Sequence, residues 1–289
     1  MGRLEESPAG RVRRRIASTL GPSVAATLPS GYHRIGRVLV LRLPEALRPH
    51  FRAIGAAWCT ELGVEAVLRH AGETEGELRI PRFELIAGDD ALTEVVEYGI
   101  RYRLDAQRIL FARGNRTERH RAGLETRTGE FVADLFAGIG YFSLPAAVSG
   151  HAGRVWAVEK NAVSYEFLKE NVALNRVADR VECIRGDNRE VELPAGVFDR
   201  VFLGYLPSSV PWVPRALHLL KPTGGAMHVH LLSGRHDGLA AAEAEVSRSV
   251  EEAEASILSV ASRTVKSYGP GRVHVVVDLT ARPAPYRSG

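Results

Sequence analysis

The sequence predicts an α/β protein, with a doubly wound, mostly parallel sheet preceded by a small α+β domain. Three observations carry that expectation. From Phe131 onward, strand-length apolar runs alternate with helix-length segments, the order a sheet covered by helices on both faces requires. A glycine turn, Asp134-Leu-Phe-Ala-Gly-Ile-Gly140, stands between the first of these strands and the first helix, where a backbone without Cβ atoms can bend sharply. Residues 35–110 instead read as several short strands around a single helix, which marks a separate and smaller unit.

Taken in order, residues 1–30 combine Arg11, Arg13, Arg14 and Arg15 with Gly, Pro, Ser and Ala. They read as a basic N-terminal arm, a loose segment or short helix with a flexible joint. Residues 37–43 form an apolar strand that Pro44 closes. Residues 46–62 form a helix, with Leu47, Phe51, Ile54 and Trp58 at helical spacing and Gly63 ending it. Further strands are expected at 64–69, 77–80, 93–98, 100–104 and 107–111. The boundaries that follow are an arm over 1–30, a small α+β domain over 31–112 and a larger α/β domain over 113–289. In the last, strands fall at 131–136, 154–159, 181–185, 198–203 and 225–232, and helices at 140–149, 162–175, 212–219 and 239–255. Two final strands, 261–267 and 273–279, form a hairpin through 268–271.

Net charge is only +4, but arginine is clustered: Arg34, Arg37, Arg42, Arg48 and Arg52 follow the N-terminal run, and a second group spans Arg101 to Arg121. Guanidinium forks suit phosphate oxygens, so an RNA backbone is the expected partner; the competing explanation is a solvated face. No apolar run is long enough for a bilayer, and the first twenty residues lack a secretion-type segment. Cys59 and Cys183 form no metal or redox pattern. A cytoplasmic location is expected, with no membrane and no obligate protein partner.

The glycine turn departs from the dinucleotide pattern, because Tyr141, Phe142 and Ser143 follow Gly140 directly. Asp134 at the strand end would repel a pyrophosphate and welcome an ammonium, which points to S-adenosylmethionine (AdoMet). Glu159 closes the second strand, where an acid accepts ribose hydroxyls. Asp187, in Arg185-Gly-Asp-Asn-Arg189, stands past the third strand to take an adenine amine, with Asn188 beside it. Phe136, Gly138, Gly140 and Gly204 belong to the same set. Phe142 and Lys160 join it as candidate contacts, although the first suits packing and the second a solvated surface equally well. His228 and His230 alternate on the fifth strand, but two ligands without a third do not make a zinc site, and no metal is expected.

After the fourth strand, enzymes that methylate amino groups carry Asn or Asp followed by Pro-Pro and an aromatic residue. Here the loop is Gly204-Tyr-Leu-Pro-Ser-Ser209, with no carboxamide or carboxylate to accept from a nucleophilic nitrogen. The final helix and hairpin resemble the ending of class I methyltransferase, Rossmann-like folds. Over about residues 35–282 the chain resembles the tRNA wybutosine-synthesis aminocarboxypropyltransferases, relatives of the tRNA guanine-37 N1-methyltransferases. The resemblance lies in Phe111-Ala-Arg-Gly-Asn-Arg-Thr-Glu-Arg119, the 134–142 turn, Val158-Glu-Lys-Asn161, Gly186-Asp-Asn-Arg189, the 204–209 loop and Val265-Lys-Ser-Tyr-Gly-Pro270 with His274 and Asp278. It implies transfer of the 3-amino-3-carboxypropyl group of AdoMet to 4-demethylwyosine at position 37 of tRNA(Phe), in the anticodon region, releasing methylthioadenosine. The alternative is guanine-37 methylation. The resemblance also implies functional roles for Asn115, Glu118 and Arg119, with Glu118 among the cofactor residues. Arg119 is expected to position a carboxylate or a phosphate, or else to pair with Glu118 or Glu125. Tyr205 is expected to stack on the acceptor base, or else to serve as a core or lid residue.

Overall fold

The computed structural model, which describes residues 6–284, places the apolar run Val38–Leu41 in the middle of a four-stranded sheet. That sheet belongs to the first of two units, residues 1–96 with 101–111; the second comprises 97–100 with 112–289.

In the first unit the strands are β1 (His33–Ile35), β2 (Val38–Leu41), β3 (Ala66–Glu75) and β4 (Ile80–Ala87), in that spatial order. β2 and β3 run parallel, so a crossover must connect them, and helix α3 (Phe51–Leu62; α1 and α2 precede it) provides it. The helix starts five residues later than its apolar spacing predicts. Pro49 lacks an N–H to donate, and residues 45–50 form a 3-10 turn instead. Residues 76–79 are turn rather than strand, and 107–111 form no strand.

The expected arm is not separate. Its described part folds as α1 (Pro8–Leu20) and α2 (Pro22–Ala26), with the Ser7 side chain capping α1 through the Gly10 N–H at 3.1 Å. Val12 and Ile16, four residues apart, are fully buried in the same core as Leu39, Leu41, Ile54 and Trp58. Arginines on the other helix faces conceal that short apolar stripe in the sequence. A hairpin of β5 (Leu92–Glu97) and β6 (Ile100–Asp105) completes the strand set, and its tip, 97–100, belongs to the second unit.

The second unit opens with a 3-10 turn, Arg113–Asn115, and α4 (Arg116–Glu125). Its segment RTERHRAGLE has no apolar face, which is why periodicity does not reveal it. Then follow β7 (Phe131–Asp134), α5 (Ser143–Val148), β8 (Arg154–Glu159), α6 (Ala162–Leu174), β9 (Val181–Arg185), β10 (Arg200–Leu203), α7 (Val213–Leu219), β11 (Gly225–Gly234), α8 (Gly238–Glu252), β12 (Ser256–Ser267) and β13 (Arg272–Arg282). The sheet order is β12-β13-β11-β10-β7-β8-β9; the pairs among β7 to β11 are parallel, and β13 is antiparallel to both β11 and β12. This is the predicted α/β architecture with a smaller α+β unit before it. Order reverses between β7 and β10, and their carboxyl ends open there, where doubly wound sheets bind ligands.

Candidate cofactor and acceptor site

Asp134 ends β7 and is fully buried. Its Oδ2 accepts from the Ser143 hydroxyl at 2.6 Å and the Ser143 N–H at 3.1 Å, while Oδ1 accepts from the Phe136 N–H at 3.3 Å. The carboxylate therefore clamps the glycine turn to the start of α5. Gly138 (φ +57°) and Gly140 (φ +101°) occupy left-handed backbone, where a side chain would be strained. Glu159 ends β8, its Oε2 accepting the Gly138 N–H at 2.7 Å and its Oε1 the Asn161 N–H at 2.6 Å. Burial pushes Asp134 up to about 6 and Glu159 up to about 7. Two buried acids at the ends of adjacent strands, both with raised pKa, form a site that donors or a cation would favour.

Asp187 is engaged differently from expectation. Oδ1 accepts from the Arg189 N–H and Nε, each at 2.9 Å, and Oδ2 from Lys160 Nζ at 2.9 Å and Arg189 Nη2 at 2.7 Å. The Arg189 hydrogen bonds, with Lys160, hold its pKa far below the usual carboxylate range. Those four contacts fill the acceptor positions of a carboxylate, so an adenine amine finds no vacancy on Asp187. Lys160 likewise serves Asp187. Asn188 is the better recipient: it is buried, its Nδ2 donates to the Leu135 carbonyl at 2.7 Å, and its Oδ1 has no hydrogen-bond partner. An orphaned buried acceptor, two acids and a glycine turn fit the cofactor the sequence implies.

The loop after β10 carries the aromatic side of the site. Tyr205 stacks on Phe136 (centroids 5.1 Å, planes 22° apart), and Trp212 meets both rings edge-on, at 5.0 Å from Phe136 and 5.5 Å from Tyr205. Gly204 lies against the Phe142 ring, where a Cβ would come within 2.6 Å of a ring carbon. Phe142 itself is buried, stacked on Phe202 at 5.3 Å and tilted against His230 at 5.1 Å. The structure therefore places it in helix-to-sheet packing, one of the two alternatives, and makes it the surface that requires glycine at 204.

Arg119 does not position an outside group. It is 3% exposed, and its fork grips Glu97 at 2.7 and 2.8 Å while Nη1 donates to the Ala112 carbonyl at 3.1 Å. Its partner is thus neither Glu118 nor Glu125 but an acid at the β5–β6 tip, 22 residues upstream. Glu118 is also withdrawn from the cofactor set. Burial raises its pKa, and it accepts from Arg121 at 2.7 Å and Arg263 at 2.6 Å. Those arginines both bind Asp278, which meets His228 Nδ1 at 2.6 Å, and His228 Nε2 meets Arg200 at 2.6 Å. The network fastens the polar helix α4 to β10, β11, β12 and β13. Among the described residues, Glu125, His228 and Asp278 form one trio of metal-ligand type, so a third and fourth group do stand near His228. Three guanidiniums already use the trio's carboxylates and imidazole. Asn115, in the turn before α4, keeps a buried Oδ1 without a hydrogen-bond partner.

Sequence reading missed Glu97, Ser143 and Trp212, and it named Glu118, His228 and Asp278 without joining them into the α4 network. Ser143 is the residue after the glycine turn's aromatic pair and had a local signal; Glu97 and Trp212 had none.

The chain matches the TRM5/TYW2 methyltransferase domain over residues 93–258 and the TYW2 N-terminal domain over residues 12–91. It is 36% identical over 269 residues to the tRNA(Phe) (4-demethylwyosine(37)-C(7)) aminocarboxypropyltransferase of Pyrococcus horikoshii, covering 93% of this chain and 95% of that one. Among solved structures, P. horikoshii TYW2 in complex with MeSAdo superposes with a TM-score of 0.85 at 33% identity, over 96% of this chain and 100% of the other. M. jannaschii TYW2 in complex with AdoMet gives 0.71 at 28%, over 88% and 100%.

Proposed function

The chain belongs to the TRM5/TYW2 family, and from that premise we infer that it transfers the 3-amino-3-carboxypropyl group of AdoMet to 4-demethylwyosine at position 37 of tRNA(Phe). The observation that carries this reading is the pairing of an intact cofactor cradle with a fourth-strand loop that offers the acceptor aromatic faces instead of an amide. AdoMet is the co-substrate and supplies a sulfonium with three electrophilic carbons, and geometry decides which reacts. The new bond forms between the acceptor and the methionine γ-carbon, the S–Cγ bond breaks, the acceptor gives up a proton, and methylthioadenosine leaves.

The chain's own residues divide the work. Glu159 and Asn188 supply acceptors for hydroxyl and amine donors, while Asp134 holds the turn between them. Tyr205, with one face already on Phe136, supplies a surface on which a planar tricyclic base stacks, an arrangement worth about 1–3 kcal/mol per base. Asn115, with its orphaned carbonyl oxygen, is assigned to the acceptor. The anticodon region is the part of the tRNA we assign to the enzyme. Exposed Arg42 and Arg52 of the first unit, and Arg113 and Arg116 of the second, are assigned to phosphate. A cytoplasmic location belongs to the same proposal and is checked by fractionation.

Product analysis tests the transfer. tRNA carrying the tricyclic precursor is incubated with the protein and AdoMet. Methylthioadenosine with a correspondingly heavier nucleoside supports the reading; S-adenosylhomocysteine with a methylated nucleoside overturns it.

A further inference from the structure

The loop after β10 is pinned at its far end by a buried hydroxyl together with two backbone hydrogen bonds to β11. Ser209 is fully buried, and its Oγ lies 2.8 Å from the Leu203 carbonyl and 2.8 Å from the His230 carbonyl, so a single proton serves two acceptors. The same oxygen accepts the His230 N–H at 3.0 Å, and the Ser209 N–H donates to the His230 carbonyl at 2.9 Å. Ser209 thus joins the last residue of β10 to the middle of β11. One further backbone tie accompanies it: the Leu232 N–H donates to the Pro207 carbonyl at 2.7 Å, and with the Ser209 N–H bond it makes the antiparallel bridge between Ser208 and Leu231. Between the ends of this clasp lie Gly204, Tyr205 and Leu206. Gly204 is stopped by the Phe142 ring and Tyr205 by Phe136 and Trp212, so the segment between the clasp's ends is packed against aromatic rings.

A hydroxyl that donates to the strand preceding a loop and accepts from the neighbouring strand fixes where that loop starts and ends relative to the sheet. Alanine keeps the volume nearly unchanged but leaves the Leu203 carbonyl and the His230 N–H without their shared partner in a dry interior. The two backbone bonds to β11 remain, so the loop keeps that attachment but loses its tie to β10, and it shifts or admits water. Displacement of a reacting group by about 1 Å costs roughly 100-fold in rate, and here the displaced group is the ring that would face the acceptor.

We propose that Ser209 is a positioning residue for the transfer: its buried hydroxyl clasps β10 to β11 and thereby holds Tyr205 where the acceptor base meets the reacting carbon. The hydroxyl acts through Tyr205 and touches no reacting atom. The assignment rests on the transfer inferred above.

The test compares the full-length protein with Ser209→Ala and Ser209→Cys. Hydrogen exchange is measured without any ligand, AdoMet affinity by calorimetry, and kcat and KM with precursor tRNA by release of methylthioadenosine. In Ser209→Ala the peptide containing 204–210 and the His230 amide exchange about tenfold faster, the loss of one hydrogen bond's protection. AdoMet affinity falls far less than kcat, because the hydroxyl bonds only Leu203 and His230 and none of the cofactor acids. kcat falls about 100-fold while KM for tRNA moves far less. Ser209→Cys, with a weaker donor, recovers part of both exchange protection and kcat. Wild-type kcat in Ser209→Ala overturns the proposal. So does a loss of AdoMet binding and global stability in step with kcat, because that describes a merely structural serine. If the wild-type protein yields S-adenosylhomocysteine, the aminocarboxypropyl reading fails, whereas the exchange comparison, with kcat then read from S-adenosylhomocysteine release, still decides the role of Ser209.

Discussion

Removing Arg119 while leaving Glu97 is the perturbation whose outcome the structure fixes most tightly. The two side chains are 3% and 7% exposed, and two parallel N–H···O bonds of 2.7 and 2.8 Å join them. Arg119→Met keeps much of the volume but leaves a buried carboxylate facing a methyl group, and breaking a buried pair in this way costs about 3–5 kcal/mol. Against a typical total of about 5–15 kcal/mol, that is a large share. The double variant Glu97→Met with Arg119→Met removes both charges and their desolvation together, and costs much less than the sum of the single substitutions. Urea unfolding of the wild type, both single variants and the double variant gives the coupling energy, expected at about 3 kcal/mol. If Arg119→Met costs under about 1 kcal/mol, or the single effects simply add, the pair is not a desolvated unit and the reasoning fails. The same variants test the sequence expectation. An arginine that gripped a tRNA phosphate would, when removed, reduce the salt slope of binding by about one unit; with its fork already on Glu97, no such change is expected in the double variant.

AdoMet binding should depend on pH in a defined direction. Burial holds Asp134 near 6 and Glu159 near 7 in the free protein, above the ordinary carboxylate range. Donors favour the ionised acid, so binding expels a proton: affinity is flat above about pH 7 and falls below it, by up to about tenfold per pH unit for each coupled group. Calorimetry in buffers of different ionisation enthalpy reads that proton, and Glu159→Gln should remove the part of the dependence near pH 7. The linkage to folding has the opposite sign to that of a salt-bridged acid. A raised folded-state pKa means these two groups make the ligand-free fold less stable as pH rises from about 4 to 7, which thermal melts across that range check. Asn188→Ala should weaken AdoMet by about tenfold, through its orphaned oxygen, with tRNA binding unchanged by filter assay. Gly204→Ala should cost about 1–3 kcal/mol by pressing a Cβ into the Phe142 ring, and Phe142→Leu should relieve much of it in a double-variant melt.

The catalytic sheet was legible because its signals are local. Alternating apolar runs and a glycine turn specify β8 and β9 to the residue and β7, β10 and β11 to within two residues at one end, and strand ends announce where Asp134, Glu159 and Asp187 must stand. What each acid does there was not legible. Whether a carboxylate is open to a ligand depends on the donors that reach it, and those arrive from elsewhere: Ser143 closes over Asp134, while Lys160, 27 residues away, joins Arg189 on Asp187. Asn188 emerges as the open acceptor only because folding buries its oxygen without a partner.

Helix α4 shows the same division. Its sequence has no apolar stripe, so period could not find it, and it makes ion pairs with residues up to 157 positions away. Arg119 looked like a phosphate fork because an arginine beside a site has that chemistry, but chain topology brings Glu97 to it first. The sequence by itself determined the fold class, the cofactor and the succession along the chain of the strands that hold it, since each follows from near-neighbour pattern. Only the tertiary structure decided which charged groups are already satisfied and which remain to meet a substrate, because desolvation and long-range pairing are properties of the folded interior.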